Sequence, residues 1–143
     1  MIRVAFRCGD TRISARFLHW WQRADVSHCE AVLRQVDTAS DCASASLLDG
    51  GVRSKLMPLP ADRWRVYELD ADAAKALEWL DAHRGEGYDL LGLLGFAFRP
   101  FKGFFRLWWC SEAVAAMCGF AEPWRYDVAT LESVCARIGR RVQ

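Results

Sequence analysis

The apolar and polar positions of this chain switch period along its length, and the switches mark the elements. Residues 2–7 (Ile2-Arg3-Val4-Ala5-Phe6-Arg7) alternate apolar with basic, as a half-buried strand does. A turn at Gly9-Asp10-Thr11 follows, with Asp10 or Thr11 suited to cap a helix. Ile13, Phe17, Leu18 and Trp21 then recur at helical spacing and predict a short amphipathic helix over 12–23. His19 lies on it with no second ligand three or four residues on, so it reads as a surface or boundary residue. Residues 26–33 form a second strand, with His28, Glu30 and Val32 on one face and Cys29, Ala31 and Leu33 on the other. Residues 35–41 are polar and turn-like. Residues 42–48 read as a strand of small side chains, with Ser44 and Ser46 sharing a face.

A tight turn at Asp49-Gly50-Gly51 leads to an irregular or edge strand over 52–59, which ends among prolines. Alternation returns at 64–69. These segments predict an antiparallel sheet of about four or five strands. Periodicity then turns helical over 70–84, where Asp70 or Asp72 suits the cap and Ala73, Ala76, Leu77 and Leu80 form the stripe. Gly85-Glu86-Gly87 breaks it, and 88–96 reads as an apolar helix. The stretch 98–109 mixes aromatic residues with Arg99, Lys102 and Arg106. Pro100 and Gly103 interrupt it, which favours a loop packed on the core over an amphipathic helix lying on lipid. Residues 110–118 are helix formers closed by Gly119, and 127–139 give a last amphipathic helix. The fold class is α+β, in a single domain.

Composition narrows the function classes. Across 143 residues, 19 basic side chains balance 18 acidic ones, against the basic excess of a nucleic-acid partner. The 6 cysteines include no C-x-x-C pair and no zinc spacing, and no signal peptide is expected ahead of Met1-Ile2-Arg3-Val4. The expectation is a reduced, cytoplasmic protein with no disulfide framework, no metal and no cofactor. The longest apolar run, 90–98, is too short to span a bilayer.

One segment carries chemistry. Cys110 opens the 110–118 helix, and Ser111 and Glu112 fill its first turn, where free N–H groups and the dipole favour oxygen and negative charge. A thiol at a helix N-terminus has its thiolate stabilised and becomes a nucleophile. His28, between Ser27 and Cys29 in an apolar strand, is the candidate imidazole to pair with it. Cys29 itself reads as core. Cys110 alone among the cysteines is expected to be reactive at neutral pH, within hydrogen-bond reach of His28.

The order of these pieces resembles a family: the circularly permuted NlpC-like, papain-like cysteine hydrolases of the YiiX type, in their short bacterial and prophage form. The resemblance is carried by Val26-Ser27-His28-Cys29-Glu30, by Asp49-Gly50-Gly51-Val52, by Gly87-Tyr88-Asp89 and by Trp109-Cys110-Ser111-Glu112-Ala113-Val114. It implies a papain-like fold with Cys110 as nucleophile, His28 as general base, and the Cys110 N–H helping to bind an oxyanion. Tyr88, Ser111 and Glu112 fall at its substrate- and oxyanion-binding positions. Relatives often take the third catalytic group from the strand after the histidine strand. That strand offers Ser44 and Ser46 here, of which Ser46 is the choice; Glu30, two residues from His28, is the alternative. The implied activity is hydrolysis of an amide bond in a peptide, such as a cell-wall stem peptide, or in another small amide. A thiol acyltransferase or lipid hydrolase resembling lecithin:retinol acyltransferase is the second possibility, motivated by 98–109. A non-catalytic binding module is the third.

Overall fold

The computed structural model describes residues 1–11, 13–90 and 106–143. Strands β1 (Ile2–Cys8), β2 (Val26–Val36), β3 (Ala39–Ser46), β4 (Gly51–Met57) and β5 (Trp64–Leu69) form an antiparallel sheet. A two-residue strand β8 (Arg140–Arg141) pairs with β5, giving the order β4-β3-β2-β1-β5-β8 and six strands where the sequence pattern predicts four or five. The sixth escapes the pattern because two exposed arginines carry no alternation; backbone pairing alone makes them a strand. Strands β2 and β3 also run into the stretch 35–41 expected to be a turn, since the backbones of Gln35 and Ser40 pair there.

Helices are α1 (Ile13–Gln22), α2 (Ala73–His83), α3 (Cys110–Met117) and α4 (Val128–Ile138). Asp72 caps α2 and Asp127 caps α4, each accepting a backbone N–H of the first turn. The expected helix over 88–96 is corrected at its start. Gly87–Tyr88 is a short strand, β6, parallel to β7 (Leu107–Trp108). Backbone pairing overrides helix propensity here, since Asp89 N–H also donates to the Trp108 carbonyl at 3.0 Å. Residues 91–96 of that helix and 98–105 of the aromatic stretch lie outside the described residues.

The period-2 assignment of β2 holds. Cys29 and Ala31 join a core cluster with Val4 and Phe6 of β1 and with residues of α2, α3 and α4. Val32 lies in a second cluster with Ala5, Cys42, Trp64 and Val66. Helix α3 is the centre of the first cluster, with Cys110 through Ala115 and Met117 all buried. A helix apolar nearly all round belongs inside, and the small side chains of Ala113 and Ala115 let it lie close to the sheet. It stops in a Schellman motif: Gly119 N–H donates to Ala116 O at 2.9 Å and Phe120 N–H to Ala115 O at 3.0 Å. Gly119 takes φ +77, the left-handed conformation expected of it.

Gly51 is fixed by space as well as by conformation. At φ +139, a Cβ there would stand 1.9 Å from the Glu86 carbonyl oxygen. The close approach lets Val52 N–H donate to that carbonyl at 2.8 Å, which ties β4 to the segment leading into Tyr88. The β3–β4 hairpin is thereby held against the end of the molecule that carries α3.

Candidate active site

Cys110 is the first residue of α3 and is 6% exposed. Its helix packs on β2 and β3, which brings residue 110 against the start of β2. A register break opposite Arg7 and Cys8 leaves Ser27 as an extra residue in β2. Such a bulge re-aims its neighbours, and His28 follows it directly. The imidazole hydrogen-bonds with Cys110, and its Nε2 also lies 2.8 Å from Glu30 Oε1. The two residues expected to meet across the chain are together.

Glu30 is the carboxylate that stands behind the imidazole. Its side chain is 1% exposed, on the Val32 face of β2 and paired with Ala5, opposite to the face that carries Cys29 and Ala31. Arg53 of β4 grips it from both sides, with Nη1 at 2.6 Å from Oε2 and Nη2 at 2.6 Å from Oε1. Arg53 Nε in turn donates to Asp49 Oδ2 at 2.8 Å, and Lys55 Nζ donates to the same oxygen at 2.8 Å. A line of alternating charge therefore runs Lys55, Asp49, Arg53, Glu30, His28, Cys110. Ser46 has a different place: its hydroxyl accepts Asp49 N–H at 3.3 Å and shapes the β3–β4 turn. Ser44 donates to the Ala45 carbonyl at 3.3 Å.

The electrostatics follow from these contacts. A hydrogen bond from Cys29 and, against burial, the bond and charge of His28 hold the Cys110 thiol well below its usual range. Burial opposes the imidazolium, but hydrogen bonds to Cys110 and Glu30 outweigh it and raise His28 to about 9. Burial likewise opposes ionised Glu30, yet His28 and Arg53 keep it lowered. The pair at neutral pH is thiolate and imidazolium, with a carboxylate behind. Burial pushes the other core thiols up, Cys42 and Cys118 to about 12, and Cys29 and Cys135 well above the usual range as well. Cys8 accepts a hydrogen bond from Arg65 Nε at 2.9 Å. All six cysteine sulfurs are unbridged.

The remaining sequence-predicted positions hold the frame. Ser111 donates to the Tyr126 carbonyl at 2.7 Å, anchoring α3 to the loop before α4. Glu112 reaches back to the backbone N–H of Trp109, the residue that precedes α3, which is the carboxylate half of a capping box. Its other oxygen, Oε2, is buried without a partner. Burial, with the nearby charge of buried Asp89, raises the Glu112 carboxyl to about 8. Tyr88 packs half-buried against the cluster holding Cys110, and burial followed by the Cys110 charge keeps its phenol protonated. Trp108, edge-on to Trp79 at 4.8 Å and donating to Glu86 at 2.7 Å, fixes the β6–β7 pair beside it. His19 is a half-buried boundary residue.

Arg53 and the role of Cys29 were not predicted from the sequence. A glutamate in an apolar strand signals a buried charge that needs a cation. Choosing Arg53 from among the 19 Lys and Arg side chains requires the hairpin register. Among the described residues, no group of three or more His, Cys, Asp or Glu side chains is arranged to hold a metal ion, and no helix is long and apolar enough to cross a membrane.

What these elements define is an α+β domain in which a helix N-terminus presents a thiol to a strand histidine. No family model matches the chain, and neither a curated protein nor a solved structure matches it.

Glu112 yields a stability prediction. Its folded-state value of about 8 lies above the ordinary 4.5, so the folded state holds this proton more tightly than the unfolded chain does. The contribution is fully present below 4.5 and is lost as pH rises through about 8. Glu112→Gln keeps the oxygen facing Trp109 N–H and removes the ionisation. The variant gains on the native chain between pH 5 and 8 by about 1–3 kcal/mol. Urea titrations at each pH check it, and parallel stability curves for the two proteins would refute it.

Proposed function

We propose that this domain is a cysteine hydrolase acting on an amide bond. The observation that carries it is the hydrogen-bonded line Cys110–His28–Glu30, with the thiol at a helix N-terminus. Cys110 is the nucleophile, His28 the proton carrier and Glu30 the group that positions the ring. With Nε2 engaged by Glu30, Nδ1 is the nitrogen left for the thiolate. The thiolate adds to the substrate carbonyl, and the oxyanion forms at the N-terminus of α3, where the first backbone N–H groups have no helical partner. His28 protonates the departing amine. It then takes a proton from the water that hydrolyses the thioester. The Tyr88 phenol, kept protonated, is a donor at the rim of the same site.

The likeness to circularly permuted NlpC-like hydrolases supports the same order of parts, a strand histidine first and a helix cysteine late. The third group differs, since Glu30 comes from the histidine strand itself. A peptide, including a cell-wall stem peptide, is the substrate class this reading favours, and a reduced compartment such as the cytoplasm suits a free thiolate. The lipid-directed alternative was motivated by 98–109, of which 98–105 lie outside the described residues.

The test is brief iodoacetamide labelling of the native protein at pH 7, followed by peptide mapping. Cys110 should label at least tenfold faster than Cys42 or Cys118, given a thiolate in one case and thiols near 12 in the others. Peptide-amide turnover, where found, should vanish in Cys110→Ala. Equal labelling of all six thiols would defeat the proposal.

A further inference from the structure

Cys29 has no task in the hydrolytic scheme, yet it stands against the nucleophile. Alternation in β2 directs it into the cluster that contains Cys110, the helix of Cys110 packs on that strand, and the two side chains are neighbours there, near enough for Cys29 to act on the Cys110 sulfur. Cys29 keeps its proton, because burial and the Cys110 charge push its thiol up, so it is the donor and Cys110 the acceptor. A packing role alone would be met by any small apolar residue. A second sulfur beside a thiolate is a different thing. It is the arrangement in which an oxidised cysteine can be captured before further damage.

We propose that Cys29 is the resolving thiol of Cys110, and that a hydroperoxide converts the pair to a Cys29–Cys110 disulfide that reversibly closes the site. In the first step the Cys110 thiolate attacks the terminal oxygen of the hydroperoxide. The O–O bond breaks, an S–O bond forms, and the alkoxide that leaves takes the proton of the His28 imidazolium. Cys110 is now a sulfenic acid. In the second step the Cys29 sulfur attacks the Cys110 sulfur, and the S–H proton departs with the hydroxide as water. Two thiols have supplied the two electrons that reduce the peroxide to alcohol and water. The new bond sets the sulfurs about 2.05 Å apart. A dithiol reductant reverses the bond by exchange.

This inference rests on the thiolate assigned to Cys110, but not on which bond the site cleaves. The reduced full chain is treated with stoichiometric hydrogen peroxide, residual thiols are blocked with a maleimide, and the products are mapped by mass spectrometry. The native protein should lose two hydrogens, yield a Cys29–Cys110 crosslinked peptide and return to its starting mass with dithiothreitol. Cys29→Ala and Cys29→Ser should form no bridge. Both should accumulate sulfenic and sulfinic acid at Cys110 at least tenfold over the native chain, with dimedone trapping the former; the second variant guards against misfolding of the first. A native protein that reaches sulfinic acid at Cys110 with Cys29 still free overturns the inference alone. A bridge from Cys29 to Cys135 overturns it as well. Failure of Cys110 to oxidise or alkylate faster than Cys42 overturns it together with the thiolate. A bridge without any amide hydrolysis upholds it while removing the hydrolase reading.

Discussion

His28→Ala is expected to slow alkylation of Cys110 at pH 7 by at least tenfold and to reduce amide turnover by roughly 10²–10⁴-fold, the usual range for a lost acid–base group. The two effects have different causes. Alkylation needs only the thiolate, and the imidazolium is one of two groups that hold it; the other, the Cys29 S–H, survives the substitution. An ordinary thiol near 8.5 is only a few per cent ionised at pH 7, and burial lowers that fraction further. Loss of the cation therefore moves Cys110 part of the way back toward an inert buried thiol. Turnover suffers more, because no group remains to protonate the leaving amine. The pH profiles separate these roles. In the native protein the ion pair persists from the depressed value of Cys110 up to about 9, where His28 loses its proton. Above that, alkylation should continue while hydrolysis declines. In the variant, alkylation should instead climb with pH as the thiol titrates unaided. Stopped-flow labelling between pH 5 and 10 makes the measurement. An unchanged rate and profile would mean that His28 does not act on Cys110.

The strands and the place of Cys110 at a helix start were legible from local pattern, because alternation and helix ends are written in neighbouring residues. Asp127 before α4 and Gly119 after α3 mark helix ends that the structure keeps. What was not legible depends on pairing between distant segments. Ser46 was the choice for the third group because the resemblance pointed to the next strand. The β3–β4 turn instead occupies its hydroxyl with Asp49 N–H. Glu30 was visible as a neighbour of His28, but its availability depends on Arg53, and that contact exists only once β4 is in register with β3. Tyr88 read as helical because the residues after it are apolar. Its extended conformation comes from pairing with Trp108, a residue distant in the chain. The alternation that placed Cys29 in the core was right, yet its contact with Cys110 needed α3 to be laid across the sheet.

Arg53→Met should destabilise the fold by about 3–5 kcal/mol at pH 7, a large part of the roughly 5–15 kcal/mol that holds a domain together. The reason is not the worth of the ion pair, which replacement by apolar groups of similar volume often matches. It is the charge left behind. Glu30 is 1% exposed, and without the guanidinium it has only the His28 ring to satisfy a buried carboxylate. The sign of the pH dependence changes with it. In the native chain Glu30 is lowered below 4.5, so its contribution is present above 4.5 and is lost as pH falls through the lower folded value. In the variant, burial dominates and should raise Glu30, so stability should fall as pH rises past 4.5. Arg53→Lys should recover only part of the loss, since an ammonium cannot bond both oxygens in the guanidinium's planar fork. The double variant Arg53→Met with Glu30→Gln removes both charges and should regain most of the stability, by the coupling expected of residues in contact. It should not regain activity. With no carboxylate behind it the imidazolium loses one of its two supports, and His28 should titrate below its native value of about 9. Denaturant melts from pH 4 to 8 and the alkylation profile of Cys110 read the two outcomes separately. A single Arg53→Met cost under about 1 kcal/mol, parallel to the native protein at every pH, would show that Glu30 is not held as a buried carboxylate.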